Sequence, residues 1–349
     1  MTAVREDHAF LMKSEAESRE RGRPRPQQRD SKLCASSSAG GDARTPDCVH
    51  TKHALNPHAP CHEPITGEML TMNELKNQPD TVCGWPLSVC SWSLRCDPDG
   101  VARAMETLGL RQVNLALKPA FAESGVDYLA AVRRHAWTVS AATIGFFHED
   151  YTSLESIRAT GGIVPDEHWP RSREMVLRSV ELTVELGAPF LTLHAGFIEE
   201  EEGAATQCIR ERLTLLADAA AEHGIGLLLE TGQETADSLR HLLETLNHPA
   251  LGVNFDPANM ILYGKGDPIK AIGTLAPWIR HIHVKDALAT RDPGKWGTEV
   301  PWGDGEVGQK AFLEALQKIG YRGALAIERE AGDDRLRDIG LAIERLRGG

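Results

Sequence analysis

The stretch Gly226–Gly232, GLLLETG, decides the fold. Its three consecutive leucines show no polar alternation, and the run ends abruptly on a carboxylate, Glu230. A strand of a parallel sheet reads this way, because helices cover both of its faces and leave no side for polar residues. A charge at the end of such a strand is either solvated or engaged in chemistry.

Three segments downstream repeat the arrangement. LGVNFDP (251–257) ends an apolar run at Asp256, IRHIHVKD (279–286) carries His283, and GALAIERE (323–330) closes on Glu328. Upstream, PLSVCSW (86–92), QVNLAL (112–117), TVSAATIGFF (138–147) and FLTLHAG (190–196) bring the candidate strands to eight. Amphipathic stretches at 97–109, 173–187, 206–224, 235–247, 308–320 and 334–347 lie between or after them, several ending at a glycine suited to a helix C-cap. Strands alternating with helices imply a parallel sheet, and eight such units close naturally into a (β/α)8 barrel of the α/β class. The open doubly wound alternative advertises a glycine-rich nucleotide loop after its first strand, and none follows VCSWSL (89–94).

In a barrel the strand C-termini converge on one rim. Glu230, Asp256, His283 and Glu328 are therefore expected around one point. With no other obvious means of neutralisation, three carboxylates and an imidazole would repel and resist desolvation, whereas one divalent cation turns that cost into coordination. Oxygen-rich ligation with a single imidazole suits Mn²⁺ best, with Mg²⁺, Co²⁺ or Zn²⁺ as alternatives.

Composition bounds the rest. Of 19 Phe, Trp and Tyr residues in the 349, only Phe10 precedes residue 84, so residues 1–83 are expected to be a disordered N-terminal segment and 84–349 the barrel. Cys48, His50, His53, His58, Cys61 and His62 cluster in that segment, but their spacing fits no finger pattern. Met69 and Met72 lie just before the barrel, as they would if the reading frame were over-extended. Seven cysteines at irregular spacing without an export signal suggest a reducing cytoplasm, and no apolar run suggests a membrane span. Residues 84–349 carry 27 Lys and Arg against 38 Asp and Glu, which disfavours a nucleic-acid partner. A homo-oligomer is compatible with all of this.

LLLETG (227–232), NFDPAN (254–259), HIHVKD (281–286), WGDGEVG (302–308) and AIERE (326–330) together resemble the xylose isomerase-like TIM barrel superfamily across residues 84–349. That group contains sugar-phosphate isomerases and epimerases, tagatose 3-epimerase-like enzymes, hydroxypyruvate isomerase, inosose dehydratase and endonuclease IV. The resemblance implies that Glu230, Asp256, His283 and Glu328 bind one metal and that Glu230 and Glu328 also move protons through an enediolate. The implied activity is isomerisation or epimerisation of a small carbohydrate or polyol-derived ketone, phosphorylated or not. A dehydratase of the inosose or dehydroshikimate type is the alternative, ahead of an AP endonuclease or a non-catalytic sugar-binding barrel.

His148 and His194 stand where endonuclease IV-like enzymes place further zinc ligands. Asn259 replaces a histidine of those nucleases, and residues 297–299 lack their Asp-x-His pair, so a three-zinc cluster looks broken. His148, His194 and Asn259 are then substrate-binding candidates. Lys118 and Lys285 are candidates to contact a substrate oxygen, and Trp302, with Trp92 and Trp296, to pack against a sugar ring.

Overall fold

A computed structural model describes residues 80–198, 203–292 and 294–348. The expected disordered segment up to residue 79, with its Cys/His cluster, lies outside the described residues. The eight expected strands are all present: β1 (Trp85–Cys90), β2 (Gln112–Ala116), β3 (Thr138–Thr143), β4 (Phe190–Leu193), β5 (Gly226–Glu230), β6 (Leu251–Phe255), β7 (Ile279–Val284) and β8 (Leu325–Ile327). Each pairs in parallel with its neighbours, and β8 pairs with β1 to close the barrel. The described residues begin at Asp80, a few residues ahead of Gly84. Thr81–Val82 folds back antiparallel on Trp85–Pro86 through a turn at Cys83 (φ 50°) and Gly84 (φ 84°), the doubly positive geometry of a tight hairpin.

Ten α-helices are described, and the ends of several follow local chemistry. In α1 (Pro98–Leu108), the Asp97 side chain accepts the Gly100 N–H, Pro98 opens the first turn, and Gly109 (φ 68°) ends the helix. Its buried Val101, Met105 and Leu108 form one stripe at helical spacing. The helix Ala236–Leu246 is capped by Thr235 and buries Leu239, Leu242 and Leu243, each contributing on the order of 2 kcal/mol by its burial. The helix Gly125–Arg134 was not legible in the sequence. It has no side-chain cap and buries only Gly125 and Val132, so it carries little amphipathic signal. Among the described residues no helix is long and apolar enough to cross a membrane.

Inside the barrel, alternate strand residues point to the axis. Leu227, Leu229, Val253, Phe255, Ile282 and Val284 face outward into the helical core, while Ser88, Ser140, Asn254 and His281 form a buried hydrogen-bonded layer across the axis. The Ser140 hydroxyl pairs with Ser88 at 2.9 Å and with His281 Nε2 at 3.1 Å, and His281 Nδ1 pairs with Asn254 Oδ1 at 2.9 Å. The polar rim stands on this layer.

After β7 the chain makes an antiparallel ribbon of Asp286–Leu288 and Thr298–Val300 that the strand pattern did not announce. The Asp286 carboxylate accepts backbone N–H groups from Gly303, Gly305 and Val307 at 2.9–3.1 Å, tying down the WGDGEVG loop. A Cβ on Gly305 would sit 2.1 Å from Asp286 Oδ1, so the close approach requires glycine.

Candidate metal centre and active-site cleft

Glu230, the last residue of β5, and Asp256, His283 and Glu328 at the ends of β6, β7 and β8 meet at the C-terminal rim. One ligand atom from each lies within 4.8 Å of all the others, and all four residues are buried. His283 Nδ1 is 3.2 Å from both Glu230 Oε1 and Glu328 Oε2, and 3.9 Å from Asp256 Oδ2.

Each of the four side chains is held by a specific partner. Asp256 caps the helix Pro257–Leu262: its Oδ1 accepts the Ala258 and Asn259 N–H groups at 2.8 and 3.0 Å, leaving Oδ2 turned to the centre. Glu328 Oε1 accepts the Trp92 indole N–H at 2.6 Å. Glu230 Oε1 accepts from Asn259 Nδ2 at 3.1 Å. His283 Nε2 donates to Asn114 Oδ1 at 2.8 Å, and Asn114 is oriented by its own donation to the Ala141 carbonyl and the Thr143 hydroxyl. That bond turns Nδ1 toward the carboxylates, where a cation would take the place of the proton they favour there.

Three of the converging atoms, Asp256 Oδ2, His283 Nδ1 and Glu328 Oε2, are buried without a hydrogen-bond partner. Buried polar atoms are almost always satisfied, so three orphans aimed at one point mark a place for a cation. The electrostatics agree. Burial pushes the Asp256 carboxyl well above the carboxylate range, with Glu328 and Glu230 adding to the rise and Lys285 opposing it. Burial alone would depress the His283 imidazole, but Cys90, Glu230 and Glu328 outweigh it and hold it well above its ordinary value. Both shifts express unmet demand for positive charge. The donor set fits a hard divalent ion.

Part of that demand is met by the chain. Lys285 is 3% exposed, and its ammonium donates to Glu330 at 2.7 Å and lies 3.2 Å from Glu328 Oε2 and 3.8 Å from Asp256 Oδ2. The expectation that the four ligands have no other neutralising group is corrected by this contact. The signal was present as a period of two: His281, His283 and Lys285 all face the barrel axis. Lys285 remains charged because Glu328, Glu330 and Asp256 outweigh its burial.

Above the centre opens a cleft of ≈ 750 Å³. His194 lines it with Nε2 3.6 Å from Glu230 Oε1, and Asn259, Lys285 and Lys118 line it as well. The Lys118 ammonium donates to the Phe146 carbonyl at 2.8 Å. His148 and Trp302 are placed elsewhere. β3 ends at Thr143, so the chain has left the barrel before His148, whose ring stacks on His168 at 4.2 Å and pairs with the Gly162 carbonyl at 3.2 Å. Glu149 reaches the cleft wall in its place. Trp302 is 3% exposed and packs edge-on against Phe312 at 5.2 Å, beneath the loop that Asp286 folds. Asn114 and Asn254 were not singled out in the sequence, since a buried asparagine in an apolar strand has no spacing signature of its own.

The chain belongs to the xylose isomerase-like TIM barrel family. That family's model matches residues 101–348. A xylose isomerase domain protein from Planctomyces limnophilus is 34% identical in a structural match with a TM-score of 0.69, covering 76% of this chain and 96% of that one. An inosose dehydratase from Geobacillus thermodenitrificans is 26% identical over 38% of this chain and 49% of its own length. A ketose 3-epimerase from Arthrobacter globiformis is 26% identical over 44% of this chain and 54% of its own. The chain thus spans about half the length of these curated relatives. Members of the xylose isomerase-like family are mostly enzymes, and the rim carboxylates and imidazole found here occupy the barrel end where such folds place their chemistry.

Proposed function

We propose that this protein is a divalent-metal-dependent isomerase or epimerase of a small ketose or polyol-derived ketone, with Glu230 and Glu328 as the proton-moving groups and Mn²⁺ as the favoured ion. The observation that carries the reading is the pair of buried carboxylates that flank His283 Nδ1 at 3.2 Å on either side. A divalent ion held by Glu230, Asp256, His283 and Glu328 would supply Lewis acidity that acidifies the C–H beside a ketone. Glu230 and Glu328 come from β5 and β8 and so face a substrate from different directions. Each has an anchored Oε1, Glu230 by Asn259 and Glu328 by Trp92, so one carboxylate takes a carbon-bound proton and the other returns it without either having to reorient. His194, Asn259 and Lys118 line the walls where substrate hydroxyls would bind.

One observation favours a lyase of the inosose-dehydratase kind as the second reading. The Lys285 ammonium sits beside Glu328 and Glu330 on the cleft wall, where it can assist departure of a hydroxyl after the same proton abstraction. The nuclease reading lacks such support: Asn259 is hydrogen-bonded to Glu230, and the cleft wall carries five acidic residues against two lysines. A ketose panel incubated with Mn²⁺-loaded protein in D₂O tests the proposal. Deuterium at carbon in an isomeric product is expected, and product that has lost water assigns the lyase. Absence of exchange from every ketose with metal-loaded protein would overturn both.

A further inference from the structure

A fifth ligand-type side chain reaches the centre. Cys90 ends β1 and is fully buried. Ser88, two residues before it, belongs to the polar layer across the axis, so the alternation along the strand turns Cys90 toward the axis as well. Its neighbours follow from the register. Cys90 stands opposite Asn114 of β2, and Val89 stands opposite Ile327, the residue before Glu328. One ligand atom from each of Cys90, His283 and Glu328 lies within 4.8 Å of the other two, and all three residues are buried. Glu230 and Asp256 do not belong to that trio.

The thiol is loosely held. Burial pushes it up to about 12 against the pull of His283, so it keeps its proton when no cation is bound. Its S–H reaches Asn114 Oδ1 at 3.8 Å, a weak bond. The same oxygen accepts the His283 Nε2–H at 2.8 Å, so it keeps a donor when the thiol swings away. The other two members of the trio carry atoms that lack partners: His283 Nδ1 and Glu328 Oε2 are buried, unpaired and 3.2 Å apart. Ligands bound at about 2.0–2.3 Å to a tetrahedral zinc ion stand roughly 3.3–3.6 Å from one another. The imidazole and carboxylate therefore already have that spacing, and the sulfur closes by no more than about 1.5 Å, within the reach of a side-chain rotation.

The two groups of side chains suit different ions. Three carboxylates and an imidazole suit a hard cation, whereas a thiolate with an imidazole and one carboxylate suits Zn²⁺, for which sulfur is a favoured donor. Both groups use His283 and Glu328, so one ion excludes the other.

We infer that Cys90 gives the centre a second ligand set, Cys90, His283 and Glu328, which takes a thiophilic divalent ion such as Zn²⁺ and leaves Glu230 and Asp256 off it. This deepens the proposed function and rests on it for the hard-ion set with which the trio shares two residues. Ligation replaces the S–H bond by a sulfur–metal bond, and the proton leaves to solvent.

The test titrates the metal-free full chain with Co²⁺, the coloured stand-in for Zn²⁺, and with Mn²⁺; Zn²⁺ is then titrated against bound Mn²⁺, and the released Mn²⁺ is read by electron paramagnetic resonance. A sulfur-to-cobalt charge-transfer band in the near ultraviolet is expected from the wild type and not from Cys90→Ser. The preference for Zn²⁺ over Mn²⁺ should fall about tenfold or more in Cys90→Ser, while Mn²⁺ affinity stays within about threefold of the wild type. Cys90→Ala should behave in the same way, and melting temperature checks that each variant is folded. Asp256→Asn should lose Mn²⁺ and keep the band, because that residue belongs to the hard-ion set alone. Absence of the band in protein that binds Mn²⁺ overturns the thiolate set and leaves the four-residue centre standing. A Cys90-dependent band in protein that does not bind Mn²⁺ supports the trio and sinks the four-residue centre. A band that survives in Cys90→Ser comes from other cysteines and overturns the inference. So does an equal loss of Zn²⁺ and Mn²⁺ affinity in that variant, which would make Cys90 a packing residue, and so does loss of the band in Asp256→Asn, which would place cobalt in the four-residue set.

Discussion

Replacing Asp256 by Asn separates the two duties of that side chain. Oδ1 accepts two helix N–H groups and an amide oxygen accepts them equally well, while Oδ2, the orphan atom aimed at the centre, becomes an NH₂ that cannot ligate a cation. In the metal-free protein burial, with Glu328 and Glu230 adding to it, pushes the Asp256 carboxyl well above the carboxylate range although Lys285 Nζ lies 3.8 Å from Oδ2. The side chain therefore holds a proton when no cation is bound, and an amide of the same shape replaces a neutral group at little cost. Metal-free Asp256→Asn protein should therefore melt within a few degrees of the metal-free wild type. Mn²⁺ at a hundred times its Kd should stabilise the wild type by about 2.7 kcal/mol, moving Tm by roughly 5–10 °C for a domain of this size, and should leave the variant unmoved. Differential scanning calorimetry with and without Mn²⁺ measures both numbers. A variant that gains the same Tm from Mn²⁺ as the wild type would refute the four-ligand centre, and a metal-free variant several kcal/mol less stable than the wild type would refute the argument that the side chain is protonated when no cation is bound.

Asn114→Ala removes the acceptor that fixes the His283 tautomer and should weaken Mn²⁺ binding about 10- to 100-fold by calorimetry; unchanged affinity would show that Asn114 does not orient the ligand. Gly305→Ala places a methyl group 2.1 Å from Asp286 Oδ1 and 2.6 Å from the Ala287 carbonyl, so urea unfolding should register a loss of about 2 kcal/mol or more, and a loss below 0.5 kcal/mol would mean that the loop moves aside freely. Burial pushes the Glu234 carboxyl up to about 8 from 4.5, against the opposing pull of Lys265. The native state then holds a proton that the unfolded chain releases, so this group's contribution to stability falls as pH rises from about 4.5 to about 8, by roughly 5 kcal/mol at 1.36 kcal/mol per pH unit. Glu234→Gln should lose that slope and gain stability over the wild type at pH 8; parallel pH–stability curves for the two proteins would count against it.

The barrel and the convergence of four rim side chains were readable from the chain because both are written in local pattern. A strand covered on both faces must be apolar throughout, as in GLLLE and LGVNF, and a polar residue that ends such a run is placed on the rim by the strand direction alone. Glu230, Asp256, His283 and Glu328 needed no knowledge of the loops. The helix Gly125–Arg134 and the ribbon after β7 lacked such patterns, one for want of a buried stripe and the other because its short strands pair with each other outside the barrel. Tertiary structure alone decided what surrounds these four side chains. It placed Lys285 among the carboxylates, and Asn114 beneath His283, because barrel closure brings β2 and β7 across the axis although 169 residues separate the two side chains. It also buried Trp302 under the Asp286-bound loop and turned His148 away from the cleft, because a side chain beyond the last strand residue follows the path of its loop, and that path is set by contacts far away in the sequence.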